Sequence, residues 1–287
     1  MNIGIIGGGS IGLLTAAYLG RNHVVNLYVR REKQKQEIDK EGIHCSTLPH
    51  PTAVDTRLTS EGLEEHDVLI IAVKQHQVSS LLHADFPPET PLLFLQNGMG
   101  HLEQLPESHE CWLGVVEHGA LKRSDSSIEH LGQGNIQLAC FRSEDNGHHM
   151  AASLHSEDFP FIYREDYESM MTGKLLVNTV INPLTALFGV KNGEIVQNTY
   201  INKLASTLCE EACRVLDMSY QDEWNRVQSV AKNTKDNESS MLKDVKAGRE
   251  TEIDAICGYI VNKSSADVPY HQFVLDAIHA LEERGGA

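Results

Sequence analysis

Gly7-Gly8-Gly9-Ser10-Ile11-Gly12 constrains this chain more than any other feature. The run Ile3–Ile6 before it is continuously aliphatic, and Ile11–Leu19 after it carries helical spacing. A G-x-G-x-x-G pattern says little alone; between a strand and a helix it acquires a mechanical meaning. Gly7 permits a tight turn, Gly9 lets backbone approach a ligand, and Gly12 lets the helix pack closely on the sheet. The helix N-terminus then offers free N–H groups and the positive end of its dipole to phosphate. The competing reading is a glycine-rich turn that holds no ligand.

The rest of the chain fits a dinucleotide-binding plan. Val24–Val29, Val68–Val73 and Leu92–Leu95 repeat the aliphatic run, as expected when both faces of a parallel sheet are covered. Helical spacing between them, as in Gln75–Leu82, makes a βαβα pattern and implies a doubly wound α/β fold. From Cys111 to about Phe141, short alternating strands with Gly119, Gly132 and Gly134 predict an antiparallel extension of the same sheet. Ser143–His149 is polar and expected to be a loop. From Asp166 onward the pattern becomes helical, over Tyr167–Asn182, Tyr200–Leu216, Gln221–Lys232, Ser239–Ala247, Glu252–Lys263 and His271–Arg284. We expect a Rossmann-type, NADP-binding domain at 1–165 and a mostly α-helical substrate domain at 166–287.

Charge narrows the partners. The chain has 24 Lys and Arg against 40 Asp and Glu, a formal net charge of -16. That balance disfavours nucleic acid and anionic membranes, which are bound by neutralising phosphates. The longest aliphatic run, Val68–Val73, is far short of the ~20 residues of a membrane span. The start, Met1-Asn2-Ile3-Gly4, lacks the basic region of a secretory leader. Six scattered cysteines without C-x-x-C read as free thiols of a reducing, cytoplasmic setting. No H-E-x-x-H or completed Cys/His set is present, so no metal is expected.

One basic window breaks the acidic trend: Arg21, Arg30, Arg31, Lys33 and Lys35 against Glu32. Strand Val24–Val29 runs straight into Arg30-Arg31, where NAD-specific folds place a carboxylate for the ribose hydroxyl and NADP-specific ones an arginine. The cofactor expected is therefore NADP, as NADPH. Lys74 and Asn97 follow buried strands, at the end where ligands of open α/β sheets bind. Asn97-Gly98 is equally a plain turn. Lys174, Asn178 and Asn182 fall at i, i+4 and i+8 and share one helix face. That stripe is either a substrate site or a solvated face. Pro183 should kink or end its helix. Thr251-Glu252-Ile253-Asp254 is either helix capping or a carboxylate brought to Lys174.

Taken together, these motifs resemble the ketopantoate reductase family. The resemblance rests on Gly7–Gly12, Arg30, Val73-Lys74, Gln96-Asn97-Gly98-Met99-Gly100, Lys174 to Ala186, Lys191-Asn192-Gly193-Glu194, Ser239–Leu242 and Thr251–Asp254, in order. It implies reduction of 2-dehydropantoate to (R)-pantoate with NADPH, in pantothenate and coenzyme A synthesis. Carried over by motif, Lys174 is the catalytic lysine and Glu252 its supporting carboxylate. Gly7, Gly8, Gly9, Ser10, Ile11, Gly12, Arg30, Lys74 and Asn97 are cofactor positions. Asn97, Lys174, Asn178, Asn182, Asn237 and Ser240 are substrate positions. The partner implied is a small-molecule 2-keto acid, with a possible homodimer. Two other readings remain: a hydroxyacid or opine-type dehydrogenase acting on another 2-keto acid, and a nucleotide-sensing protein without turnover. The stretch 124–163 carries no family motif.

Overall fold

The computed structural model describes residues 1–142 and 147–285. It divides into two compact units, Met1–Gln96 with Gln104–Met170, and Asn97–Glu103 with Met171–Ala287.

The first unit is built on β1 (Asn2–Ile6), α1 (Ser10–Leu19), β2 (Val24–Val29), α2 (Glu32–Glu41), β3 (His44–Cys45), β4 (Asp55–Leu58), β5 (Val68–Ile71), α3 (Val78–Leu81), β6 (Leu92–Phe94), β7 (Cys111–Val116), β8 (Gly119–Lys122), β9 (Ser127–Gly132), β10 (Ile136–Arg142), α4 (His148–Leu154) and β11 (Phe161–Arg164). Eight strands form one sheet in the order β11-β10-β7-β6-β5-β1-β2-β4. The pairs from β4 through β7 are parallel, with Ile5 of β1 in register with Leu27 of β2 and Ile70 of β5. This is the doubly wound sheet expected from the aliphatic runs. Its central strands β5, β6 and β7 are buried along their whole length, which explains why they read as unbroken apolar segments.

The strands after Cys111 divide differently from the expectation of one antiparallel extension. β7 joins the sheet parallel to β6, and β10 pairs with it antiparallel. β8 and β9 leave it and form a second, three-stranded sheet with β3. Their burial explains why: β8 is half-buried throughout and β9 alternates, so the pair has one face to bury. That face lies against α1. Every residue of α1 from Gly12 to Leu19 is buried, as a helix apolar all round must be. The expected loop at 143–149 falls partly outside the described residues, and α4 already starts at His148.

A polar chain runs through the contact of α1 with the small sheet. Tyr18 Oη lies 2.7 Å from Thr47 Oγ1 and 2.9 Å from His130 Nδ1. His118 Nδ1 accepts from the Gly134 N–H and sits 3.1 Å from His130 Nε2, both across 3.1 Å contacts. Phe159 stacks on His118 at 4.4 Å. Burial, and secondarily the His130 charge, pushes the His118 imidazole down to about 4. The unfolded chain therefore takes up a proton first, near pH 6.5. Stability contributed by neutral His118 is complete above that value and is lost as pH falls toward 4. The expected loss is roughly 3 kcal/mol, at 1.36 kcal/mol per pKa unit. Urea unfolding at pH 7 and pH 4.5 measures it, and His118→Asn should flatten the dependence. An undiminished dependence in that variant would remove His118 as its cause.

The second unit holds α5 (Tyr167–Phe188, continuing from the end of the first unit), α6 (Glu194–Gln197), α7 (Thr199–Leu216), α8 (Tyr220–Asn233), α9 (Ser240–Lys246), a π-helical turn (Asp254–Gly258), α10 (Tyr259–Lys263) and α11 (Pro269–Gly285). The helical stretches expected from spacing fall on these elements. α7 shows the logic: Asn198 caps it by accepting from the N–H groups of Tyr200 and Ile201. Ile201, Ala205, Leu208, Cys209 and Ala212 form its buried stripe. No helix among the described residues is long and apolar enough to cross a membrane.

Candidate active site

In the first unit, the Gly-rich turn has the shape a diphosphate requires. Gly7 has φ +122°, and a Cβ there would meet the Ala72 carbonyl oxygen at 2.8 Å. A Cβ on Gly12 would come within 1.8 Å of the Gly7 carbonyl oxygen, which is the close helix–strand approach expected of that position. Over Gly9, by contrast, a Cβ would find no atom within 4 Å. Gly9 is also the N-cap of α1 and supplies no side-chain bond to it, so the first-turn N–H groups, with Ser10 and Ile11 among them, face a position suited to an anion. The residues present thus fit a dinucleotide.

Around the turn, Arg30 is exposed at the end of β2. Lys74 is half-buried just beyond β5. Gln96 is buried, and its amide donates to the carbonyls of Ile71 at 2.9 Å and Val73 at 3.0 Å. It thereby fixes the carboxyl end of β5, where Lys74 begins. Two further residues, Lys122 and Gln34, touch this turn although spacing did not single them out. Lys122 Nζ and Gln34 Nε2 each donate to the Gly8 carbonyl oxygen at 2.9 Å, and Ser10 Oγ accepts from the Lys122 N–H at 3.2 Å. Lys122 falls in the stretch from Cys111 to about Phe141, which the sequence offered only as alternating strands.

In the second unit, α5 carries the Lys174, Asn178 and Asn182 stripe. Lys174 and Asn178 are half-buried, and Asn182 is only 7% exposed. A solvated face would not bury an amide so deeply, and the flanking Leu175, Leu176, Val177, Val180 and Ile181 are all buried. Pro183 does not end the helix, which runs on to Phe188. The missing N–H of Pro183 leaves the Thr179 carbonyl without its usual partner. The Cys257 thiol donates to that oxygen at 3.7 Å. Thr185 Oγ1 donates back to the carbonyl of Ile181 at 2.8 Å, one turn earlier. The Thr185 and Ser239 hydroxyls lie 2.7 Å apart, and Ser239 Oγ caps α9 through the Leu242 N–H. Ser240 therefore opens a helix tied directly to α5. Asn237 is exposed, and its carbonyl accepts from the Asn192 N–H at 3.0 Å.

Glu252 lies half-buried ahead of the π-helical turn. Asn97 Nδ2 donates to Glu252 Oε2 at 2.8 Å. Gly98 makes this approach possible. Its φ is +78°, and a Cβ would stand 2.2 Å from the Ala255 carbonyl oxygen, so only glycine fits there. Asn97-Gly98 is thus a turn and also a packed contact within the helical unit. The capping role falls to Thr251, whose Oγ1 accepts from the Ile253 N–H at 3.2 Å, leaving the Glu252 carboxylate to Asn97. Lys174, Asn178, Asn182, Asn97, Glu252, Asn237 and Ser240 all belong to the second unit, and Gly7–Gly12, Arg30 and Lys74 to the first. Among the described residues no group of three or more His, Cys, Asp or Glu is arranged to hold a metal ion.

Comparison with known proteins decides the family. Residues 3–143 match the family described as Ketopantoate reductase PanE/ApbA, and residues 166–282 match its C-terminal part. A 2-dehydropantoate 2-reductase of Bacillus subtilis is 40% identical over 291 residues, covering 98% of each chain. This chain belongs to the ketopantoate reductase family. A crystal structure of a probable 2-dehydropantoate 2-reductase from Bacillus subtilis superposes with a TM-score of 0.87 at 39% identity, covering 98% of this chain and 100% of that one. D-mandelate dehydrogenase in a ternary structure with NADH and anilino(oxo)acetate shares the fold, with a TM-score of 0.93 at 21% identity and full coverage of both chains. The ketopantoate reductase match spans both halves of the chain, so the Gly-rich turn and the Lys174 helix fall within the same family assignment.

Proposed function

We infer that this chain is a 2-dehydropantoate 2-reductase, reducing ketopantoate to (R)-pantoate with NADPH in pantothenate and coenzyme A synthesis. The activity rests on the 40% identity over 98% of both chains. The mechanism rests on one geometric observation: a half-buried lysine on a polar stripe of α5, in the same unit as a carboxylate held by Asn97. NADPH, when bound, supplies the hydride. The Gly7–Gly12 turn holds its diphosphate, and Arg30 its 2′-phosphate, with Lys74 beside them.

Hydride addition to a ketone carbon leaves negative charge on oxygen, and that charge must be stabilised or protonated. Lys174 Nζ donates the proton. Glu252, oriented by Asn97, is the carboxylate that supports this lysine. Asn178, Asn182, Asn237 and Ser240 bind the carboxylate and hydroxyl of the keto acid through neutral donors. A sensor without turnover would need neither Lys174 nor Glu252. NADPH oxidation against a panel of 2-keto acids, ketopantoate included, tests the assignment; a stronger preference for another acid would favour the hydroxyacid or opine-type reading. We place the reaction in the cytoplasm.

The cofactor preference has its own test. Arg30→Ala should weaken NADPH binding by about 1.5–3 kcal/mol, the worth of a charged hydrogen bond, while NADH binding stays nearly constant. Titration of protein fluorescence or calorimetry reads both. Equal wild-type affinity for the two dinucleotides would remove Arg30 from this role.

A further inference from the structure

The turn between β8 and β9 carries charges that this mechanism does not use. Lys122 Nζ, which holds the Gly8 carbonyl, also lies 3.0 Å from Asp125 Oδ1. Arg31 Nη2 donates to the same oxygen. Gln34 Nε2 bridges the Gly8 carbonyl and the Asp125 carbonyl at 2.9 Å each. A Cβ on Gly8 would stand 2.5 Å from the Gln34 amide nitrogen, so a larger residue there would push this side chain off the turn. Glu37 Oε1 completes the attachment, accepting from Ser124 Oγ at 3.0 Å, Ser126 Oγ at 2.9 Å and the Ser126 N–H at 3.1 Å.

Lys33, Glu37, Lys122, Arg123, Ser124 and Asp125 line a depression of about 420 Å³. Glu37 is engaged by the serines, and Arg123 pairs with Glu129. Asp125 is therefore the anion that answers Arg31 and Lys122. Its side chain is 14% exposed, whereas that of Arg31 is 56% exposed. The hydrogen bond from Arg31 holds the Asp125 carboxyl below the usual carboxylate range, so it is ionised near neutral pH. A guanidinium and an ammonium converging on one oxygen, next to the glycine turn and one residue from Arg30, is also the arrangement a phosphate monoester takes.

We propose that Asp125 is a specificity-determining residue: its carboxylate occupies Arg31 and Lys122 in place of the cofactor's 2′-phosphate and exchanges with that phosphate on binding. This rests on the NADPH reading above. An unphosphorylated dinucleotide leaves the Asp125 contacts intact and gains nothing from Arg31 or Lys122. A 2′-phosphorylated one takes both cations, at the cost of displacing the carboxylate. Asp125 thus keeps the phosphorylated cofactor from binding too tightly to be released.

The test uses 2′-phospho-ADP-ribose and ADP-ribose as probes, titrated calorimetrically into the full chain, with urea unfolding of the same samples. Wild type should prefer the phosphorylated probe. Asp125→Asn should tighten that probe by about 3- to 10-fold, by relief of one like-charge contact, and leave ADP-ribose within twofold. Asp125→Ser serves if the Asn variant is unstable. In an Arg31→Ala background the gain should shrink toward nothing, because the two residues share one interaction. A wild type that discriminates, with an Asp125→Asn variant that does not change the ratio, overturns the proposal and leaves the NADPH reading standing. Equal binding of both probes by wild type overturns both.

Discussion

Lys174→Ala is expected to lower kcat for ketopantoate by ~10²–10⁴, the usual worth of a positioned general acid. Binding of NADPH should change little, because the Gly-rich turn and Arg30 belong to the other unit. Lys174 is half-buried, so its ammonium is partly screened from water. Glu252 is held by Asn97 at 2.8 Å. Glu252→Gln should also lower kcat, by removing the carboxylate charge that the proposed mechanism sets beside the lysine. The double variant should be little worse than Lys174→Ala alone, since residues acting as a unit are strongly non-additive. Loss of fold is the rival explanation, so unfolding midpoints and NADPH affinity must come from the same preparations. A folded Lys174→Ala protein that binds NADPH and turns over at near wild-type rate would exclude this acid.

The sequence carried the parts of the fold that depend on neighbours along the chain. The β1–turn–α1 unit was legible because three glycines at fixed spacing sit between an aliphatic run and a helical one. The helices of the second half were legible because each buries a stripe at helical spacing, as α7 does with Ile201, Ala205 and Leu208. What depended on partners far along the chain was not legible. β8 and β9 alternate as any half-buried strand does, and nothing in that pattern says which sheet they join. The segment Asn97–Glu103 packs with the helical unit because Gly98 clears the Ala255 carbonyl, a contact 157 positions apart in sequence. α5 passes through Pro183, and the carbonyl of Thr179 that the proline leaves unpaired within the helix is met by the Cys257 thiol from far along the chain. At the Gly-rich turn, Gln34, Lys122 and Asp125 escaped notice for the same reason: an ordinary charged or amide residue becomes informative only when its partner is known.

That repair at Pro183 belongs to a buried network whose disruption should be costly. Pro269 opens α11 at a position where its missing N–H does no harm. The next two N–H groups, of Tyr270 and His271, donate to Glu211 Oε1 and Oε2 at 3.2 and 3.0 Å. A carboxylate from α7 therefore caps the helix and meets the positive end of its dipole. His271 Nδ1 lies 2.8 Å from Glu211 Oε2, and His271 Nε2 lies 2.9 Å from Thr179 Oγ1. Thr179 Oγ1 in turn is 3.2 Å from Cys257 Sγ. Burial pushes the Cys257 thiol up to about 12, so it stays protonated and can donate. Burial alone would raise the Glu211 carboxyl; the bonds from His271 and the two backbone N–H groups outweigh it and hold it below the ordinary range. Glu211→Ala removes the acceptor for three donors at once in a site with almost no water access. Breaking a buried pair in this way costs about 3–5 kcal/mol. Glu211→Gln keeps one acceptor oxygen and should cost less. Because Thr179 adjoins Asn178 on α5, a Glu211→Gln protein that remains folded should also show altered ketopantoate KM with NADPH affinity intact. Urea unfolding of both variants at pH 7 measures the first effect. A Glu211→Ala protein within about 1 kcal/mol of wild type, well short of the loss of a buried pair, would mean that the capping bonds to α11 contribute no more than a surface contact.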